Sequence, residues 1–383
     1  MLRTRRLAAL ALLCAVGMLG GCAGSATVAP SPSQAAPSQS PTPTPTPVDP
    51  AVQAVAAMTT AEQAASVVMG HVPTTDPAAL SEYMAAGFGG FLLMGANVPA
   101  TQDELRAVTA SLTIDQAFPP LIAIDQEGGV VSRLPWDDLA SPRQLQTGPV
   151  ADTQTAFAQR AELVHAIGAN VNFGIVADVP ADPSSFISSR ALGTDPVAAA
   201  DRVSAAVTGE KPFVASTIKH FPGHGAAPGD SHHGIPSTPM TIGQWRDADA
   251  LPFEAGIDAG AELLMFGHLA YTSVDAAPAS LSTEWHRIAR DELGFTGVMI
   301  TDDLGMLGSS GVEAYRDPVR NAVDALVAGN DMVLMVAGST PQTAPQMVEG
   351  IIQAVDDGTL SPERLQDAAE HVMALRLELA TRD

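Results

Sequence analysis

The stretch Phe213-Val-Ala-Ser-Thr-Ile-Lys-His-Phe-Pro-Gly-His-Gly-Ala-Ala-Pro-Gly-Asp-Ser-His-His233 runs from an unbroken apolar segment into a loop crowded with chemistry. Residues 213–218 read as a buried strand, and Pro222, Gly223, Gly225, Pro228 and Gly229 exclude a regular helix from the segment after it. Four histidines, Asp230 and one of the chain's two lysines, Lys219, therefore collect on a long loop at the C-terminal end of a strand. In parallel α/β folds that end carries the active site.

The same alternation extends in both directions. Short apolar runs at 67–69, 88–94, 121–124, 171–176, 213–218, 262–266, 297–300 and 331–336 read as eight strands. Between them lie helical patterns at 77–86, 102–112, 155–168, 195–208, 251–260, 283–293 and 314–328, and two more, 340–356 and 361–381, close the chain. Eight strands alternating with helices predict an α/β fold, a single (β/α)8 barrel; a doubly wound open sheet is the alternative. The strand ends favour the barrel. Asp125, Asn172 and Asp178, Lys219 and His220, His268, and Asp302 with Asp303 all stand at or just after strand ends, and a barrel brings such groups to one mouth. No Gly-x-Gly-x-x-Gly follows the first strand, which removes the usual dinucleotide reading.

Of the 383 residues, 46% are hydrophobic, enough for a sizeable core. The formal charge of −23, from 19 basic and 42 acidic residues, opposes binding to nucleic acid or anionic lipid. The N-terminus is a separate matter. Arg3, Arg5 and Arg6 precede an apolar run from Leu7 to Leu19, too short for an ordinary membrane span and typical of an export signal, with a weak hint of twin-arginine export. Leu19-Gly-Gly-Cys22 resembles a bacterial lipobox, which implies cleavage before Cys22 and a lipid on its sulfur. Cys14 lies within the signal, so a disulfide framework is excluded. Residues 23–50 are almost all Ala, Ser, Thr, Gln and Pro, an extended tether. The expected organisation is thus a signal at 1–21, a lipidated Cys22 with its tether to residue 50, and a barrel from 51 to 383. Export and a lipid anchor on the outer face of the cytoplasmic membrane follow as expectations.

Asp302-Asp303 supports two readings. An Asp after a strand ordinarily caps the next helix. A carboxylate in a barrel mouth opposite a histidine-rich loop can also attack an acetal carbon, and glycoside hydrolysis needs such a group plus a proton donor across the bond. Lys219 on an apolar strand suits substrate binding, with Arg133 and Arg190 as companions, or a structural ion pair. His220 and His224 have the spacing of zinc ligands on a helix, but Pro222-Gly223 breaks any helix between them, so no metal is expected. Asp230 and His232 suit a dyad in which the carboxylate orients the imidazole and raises its pKa for general acid work. His233 is left without a role.

Lys219-His-Phe-Pro-Gly-His-Gly225 followed by Asp230-Ser-His232 resembles the bacterial β-N-acetylhexosaminidases of glycoside hydrolase family 3. Asp125-Gln-Glu-Gly-Gly129 with Arg133, Asn172-Phe173 with Asp178, Arg190, and Thr301-Asp-Asp-Leu304 fall in that family's order, and the resemblance runs from about residue 51 to the end. It implies a barrel with Asp302 as nucleophile, His232 as acid/base assisted by Asp230, and sugar-binding positions at Asp125, Arg133, Arg190, Lys219 and His220. It implies no cofactor. The length is that of the single-domain hexosaminidases rather than the two-domain β-glucosidases. Three positions depart from the pattern: Val130 where Arg is common, Ile175 where Pro is common, and Gly305 where Ser or Asn is common.

The expected activity is an exo-acting, retaining β-N-acetylglucosaminidase that acts on N-acetylglucosamine-containing muropeptides of the cell wall, as a monomer. A β-glucosidase of the same family is the second reading. A solute-binding lipoprotein is the rival from another class, but two lobes joined at a midpoint break would be expected of it, and the sequence has no such break.

Overall fold

The computed structural model describes residues 49–382. The expected signal segment, Cys22 and the tether as far as residue 48 lie outside the described residues. Asp49 and Pro50, read from sequence as the end of the tether, instead start the first helix, Pro50–Ala56. The Asp49 carboxylate accepts the Ala51 N–H at 2.8 Å, and a proline at the first helical position has no N–H to leave unpaired. The same device, Asp or Ser before Pro, opens Pro77–Met84, Pro196–Glu210, Pro318–Ala328 and Pro362–Leu379.

Eight strands form one parallel sheet: β1 (Val68–Gly70), β2 (Gly90–Leu93), β3 (Leu121–Ile124), β4 (Val171–Val176), β5 (Ala215–Phe221), β6 (Leu263–Phe266), β7 (Val298–Thr301) and β8 (Val333–Leu334). Neighbours follow chain order, and β8 returns to pair with β1 through Val68 and Val333. A parallel bridge between Ile300 and Met332 joins β7 to β8, with the Leu334 N–H on Thr301 Oγ1 at 3.1 Å. The sheet therefore closes on itself as a (β/α)8 barrel. An open doubly wound sheet would instead reverse its strand order at a switch point.

Strand periodicity sorts the side chains. Leu263 and Met265 of β6, with Val298 and Ile300 of β7, point into the barrel and pack with Met69, Leu92 and Phe173. Leu264, Phe266 and Met299 face the surrounding helices. Val372, Leu375 and Leu379 of the last helix join the interior cluster. All eight expected strands are present; β3 and β4 have the expected limits, and those of the other six differ. β5 runs on to Phe221, so Lys219 and His220 belong to the strand and not to the loop after it. β8 is shorter than the expected 331–336; Asp331 precedes it, with its N–H on the Met299 carbonyl at 2.7 Å and its carboxylate accepting the Met299 N–H at 2.9 Å and pairing with Arg290 and Arg364. The expected helix at 283–293 widens midway, from an α-helix at Thr283–Arg287 to a π-type turn at Ile288–Glu292.

Two loops at the C-terminal face are stitched together. Ser237–Thr238 pairs in parallel with Ala270–Tyr271, which ties the long segment after β5 to the one after β6. The helix after β7, Leu304–Ser309, lies against the segment after β8 so closely that a Cβ at Gly305 would stand 2.2 Å from the Ala337 carbonyl oxygen. That contact accounts for glycine where Ser or Asn is common in the resembled family. Gly305→Ser is expected to destabilise the protein by about 1–3 kcal/mol, as overpacking does. Urea unfolding checks this, and a midpoint equal to that of the unchanged chain would mean that the 336–337 segment yields freely.

Candidate active site

The barrel mouth holds a cavity of about 250 Å³. Pockets for drug-sized ligands occupy roughly 300–1,000 Å³, so this one suits a single sugar ring. Its lining is apolar at Leu92, Met94, Met265, Met306, Leu334 and Val336 and charged at Asp125, Glu127, Arg133, Arg190, Lys219 and Asp302. A pyranose has a C–H face and a hydroxyl edge, and the two kinds of lining group suit them.

The charged lining is built around Lys219, which is 2% exposed. Its Nζ lies 2.8 Å from Asp125 Oδ1 and 2.8 Å from Glu127 Oε1. Arg190 grips Glu127 with two bonds, Nε to Oε2 at 2.9 Å and Nη2 to Oε1 at 2.7 Å, and Arg133 approaches Asp125 at 3.5 Å. Burial pushes the Glu127 carboxyl up, but Lys219 and Arg190 outweigh it and bring it down to about 2. Burial likewise lowers Lys219, and Asp125 and Glu127 more than offset that, so the lysine stays charged. The turn that presents Asp125 and Glu127 needs Gly128 and Gly129, both at positive φ (87° and 68°), and is pinned by Gln126, whose Oε1 accepts the Arg133 and Leu134 N–H groups.

His220 is oriented by Asp178, which is fully buried after β4. Asp178 Oδ2 accepts from His220 Nδ1 at 2.8 Å, and Oδ1 accepts the His224 N–H at 2.5 Å. With Nδ1 committed, Nε2 of His220 faces the cavity and Arg190 Nη2 at 3.5 Å. His224 also lines the cavity, 2% exposed, with neither ring nitrogen hydrogen-bonded and Phe186 edge-on at 5.0 Å.

Asp302 and Asp303 divide the two readings of their pair. Asp303 is the helix cap: its carboxylate accepts N–H groups from Gly305 at 2.9 Å, Val336 at 2.7 Å and Ala337 at 2.8 Å. Asp302 keeps its carboxylate for the cavity, with Oδ1 holding only the Asp303 N–H at 2.8 Å. Burial raises its pKa, but His220, His268, that N–H and Lys219 together bring it down to about 2. The group is thus ionised, half-buried and short of partners, as suits a nucleophile.

His232 lines the same cavity from the exposed loop after β5, its side chain 57% accessible. Asp230 Oδ1 accepts both its Nδ1–H at 2.5 Å and its backbone N–H at 3.0 Å, which leaves Nε2 for substrate. Burial would raise the Asp230 carboxyl, but the His232 backbone and ring bonds lower it.

Of the residues singled out in the sequence, Asp125, Arg133, Arg190, Lys219, His220, His232 and Asp302 all line this one cavity. Asp230 stands behind His232 and off the lining, and Cys22 lies outside the described residues. His233 does not reach the cavity, and Val130 is exposed beside it. Glu127 and Asp178, quoted in the motifs without a role, are the missed members. Their signal was a carboxylate two or three residues beyond a strand end. Among the described residues, Asp331, Asp367 and His371 bring metal-ligand atoms together, outside this cavity. Arg290 and Arg364 already neutralise Asp331, so that grouping does not suit a cation.

Residues 59–375 match the family described as "Glycosyl hydrolase family 3 N terminal domain". The chain is similar to the β-hexosaminidase of Nitrosospira multiformis, 34% identical over 271 residues that cover 68% of this chain and 76% of that one. Among solved structures it resembles a glycoside hydrolase family 3 β-N-acetylglucosaminidase from Paenibacillus sp. FPU-7, with TM-score 0.78 and 28% identity, covering 84% of this chain but 63% of that longer one. It also resembles the β-N-acetylhexosaminidase of Beutenbergia cavernae, with TM-score 0.73 and 28% identity over 83% of this chain and 98% of that one.

The ion cluster makes stability depend on pH. Because the folded pKa of Glu127, about 2, lies below its ordinary value of 4.5, its contribution is complete above pH 4.5 and is lost as the pH falls toward 2. Glu127→Gln leaves Lys219 and Arg190 short of a buried counter-charge and is expected to cost about 3–5 kcal/mol near neutral pH. Urea melts across a pH series check this: the variant should lose less stability than the unchanged chain between pH 4.5 and 2, and parallel profiles would contradict the assignment.

Proposed function

The chain belongs to glycosyl hydrolase family 3, and we propose that it is an exo-acting, retaining β-N-acetylglucosaminidase that works on peptidoglycan fragments ending in N-acetylglucosamine. The observation that carries the reading is Asp302: an ionised, half-buried carboxylate with a free oxygen in a one-sugar cavity that the His232–Asp230 dyad also reaches through His232. In the first step Asp302 attacks the anomeric carbon while His232 Nε2–H protonates the departing oxygen, which gives a glycosyl-enzyme. In the second, His232 takes a proton from water, the water oxygen displaces Asp302, and two inversions return the original β configuration. Asp125 accepts from ring hydroxyls, Arg133, Arg190 and Lys219 donate to them, and His220, with its Nδ1–H on Asp178, accepts through Nε2. The apolar lining suits the methyl of an acetamido group. The names of the relatives support N-acetylglucosamine in that place. A cavity closed to about one sugar supports exo action.

Cell-wall fragments are the natural choice for an exported, anchored enzyme. The reading therefore includes a lipid on Cys22 and a position on the outer face of the cytoplasmic membrane. Cys22→Ser is expected to shift the protein from the membrane fraction to the soluble one, and retention at the membrane would contradict the anchor.

The double displacement has two signatures. A fluorosugar that traps the intermediate is expected to label Asp302, and Asp302→Asn should lose activity on the order of 10⁴-fold. His232→Ala is expected to slow glycosides with poor leaving groups by about 10²–10⁴-fold while sparing the first step on activated aryl glycosides, so that a burst appears. Burst and steady-state kinetics over a leaving-group series check both. A label on Asp303, or equal losses across the series without a burst, would overturn the role in question. Faster release of glucose than of N-acetylglucosamine from aryl glycosides would favour the β-glucosidase reading.

A further inference from the structure

His268 stands just past β6, 1% exposed, and has no place in the mechanism above. Both of its ring nitrogens are engaged. Nε2 lies 2.9 Å from the Asp303 carbonyl oxygen and Nδ1 lies 2.7 Å from Ser280 Oγ. A carbonyl only accepts, so the proton is on Nε2; the Ser280 hydroxyl then donates to Nδ1. Burial lowers the pKa of the ring, and Asp302 and Asp303 offset that only in part. Ser280 is itself fixed, since its N–H donates to the Gly267 carbonyl at 3.1 Å and its carbonyl accepts from Asn330 Nδ2 at 2.8 Å.

This series of hydrogen bonds ends on the residue beside the nucleophile. Three backbone N–H groups hold the Asp303 carboxylate and His268 holds its carbonyl, so the residue is clamped at both ends. What remains is its N–H, aimed at Asp302 Oδ1. The backbone of Asp302 is fixed from the same neighbouring strand that leads to His268, through its N–H on the Phe266 carbonyl at 2.9 Å.

We infer that His268 is a positioning residue for glycosyl transfer to Asp302: by clamping Asp303 it keeps that N–H on one carboxylate oxygen and leaves the other directed at the anomeric carbon. The inference rests on Asp302 as the nucleophile and goes beyond it. A carboxylate free to rotate would present either oxygen, and only a narrow set of angles is an attack geometry. A bond to one oxygen selects the other for attack and also stabilises the ionised form before the reaction.

His268→Phe keeps a planar ring without a donor, and His268→Gln restores an amide N–H that can reach a carbonyl. The expected outcome for His268→Phe is a first step slower by about 10- to 100-fold, the scale of a displaced reacting group, measured as the rate of fluorosugar trapping. KM and the affinity for free N-acetylglucosamine should stay at the original values, because His268 does not line the cavity, and His268→Gln should recover most of the rate. Trapping at the original rate, loss of rate and sugar affinity together, or a Gln variant no better than Phe would each overturn the role. Should His268→Phe not fold, Ser280→Ala leaves the ring but frees Nδ1, and a smaller loss confined to the first step is expected; unchanged trapping there overturns the inference. Asp302→Asn separates the two levels. Turnover that survives in it removes the nucleophile and this role together, whereas turnover lost in it but untouched in His268→Phe removes only the role of His268.

Discussion

A lysine ammonium taken out of water at a barrel mouth has to be matched by charge at hydrogen-bond distance, and the site is arranged around that requirement. Two carboxylates at 2.8 Å keep Lys219 protonated, and the carboxylate deeper in the cluster, Glu127, is in turn gripped by Arg190. This draws the turn after β3 and the loop after β4 onto the end of β5. Three separate segments of chain become one rigid wall, and a sugar hydroxyl meets donors and acceptors that have already lost their water.

The opposite requirement governs Asp302. A nucleophile has to be ionised but must not be satisfied, and burial alone would protonate it. Attraction from His220, His268 and Lys219, with one N–H bond, keeps the charge while one oxygen stays open. Its neighbour Asp303 makes this possible by absorbing three backbone donors at the barrel rim. Two adjacent, chemically identical residues thus do different work, one because it turns into the cavity and one because it turns into the chain.

His232 belongs to neither regime. It sits on an exposed loop, held by Asp230 and edge-on to Phe186 at 6.4 Å, in contrast to the buried Lys219 and the half-buried Asp302. An acid/base that serves both a leaving group and an incoming water has to stand where both can pass. The loop that carries it is anchored further on, where Ser237–Thr238 pairs with Ala270–Tyr271.

Much of this was legible in the sequence because it depends on local pattern. Short apolar runs spaced by helical periods predict eight strands, since that pattern follows from neighbours along the chain. A lysine on an apolar strand, in a chain with two, marks a buried charge. The relations across the barrel were settled only by folding. Closure rests on a bridge between Ile300 and Met332, the Lys219 cluster joins residues 94 positions apart, and the two aspartates differ only through the Val336 and Ala337 amides, far along the chain. Glu127, Asp178 and His268 were visible as residues but not as parts of the site, because a side chain gains such a role from its partners. Which groups reach the end of each strand could be read from neighbouring residues alone; which of them meet, and so which carry charge at the mouth, depended on the closed ring of parallel strands.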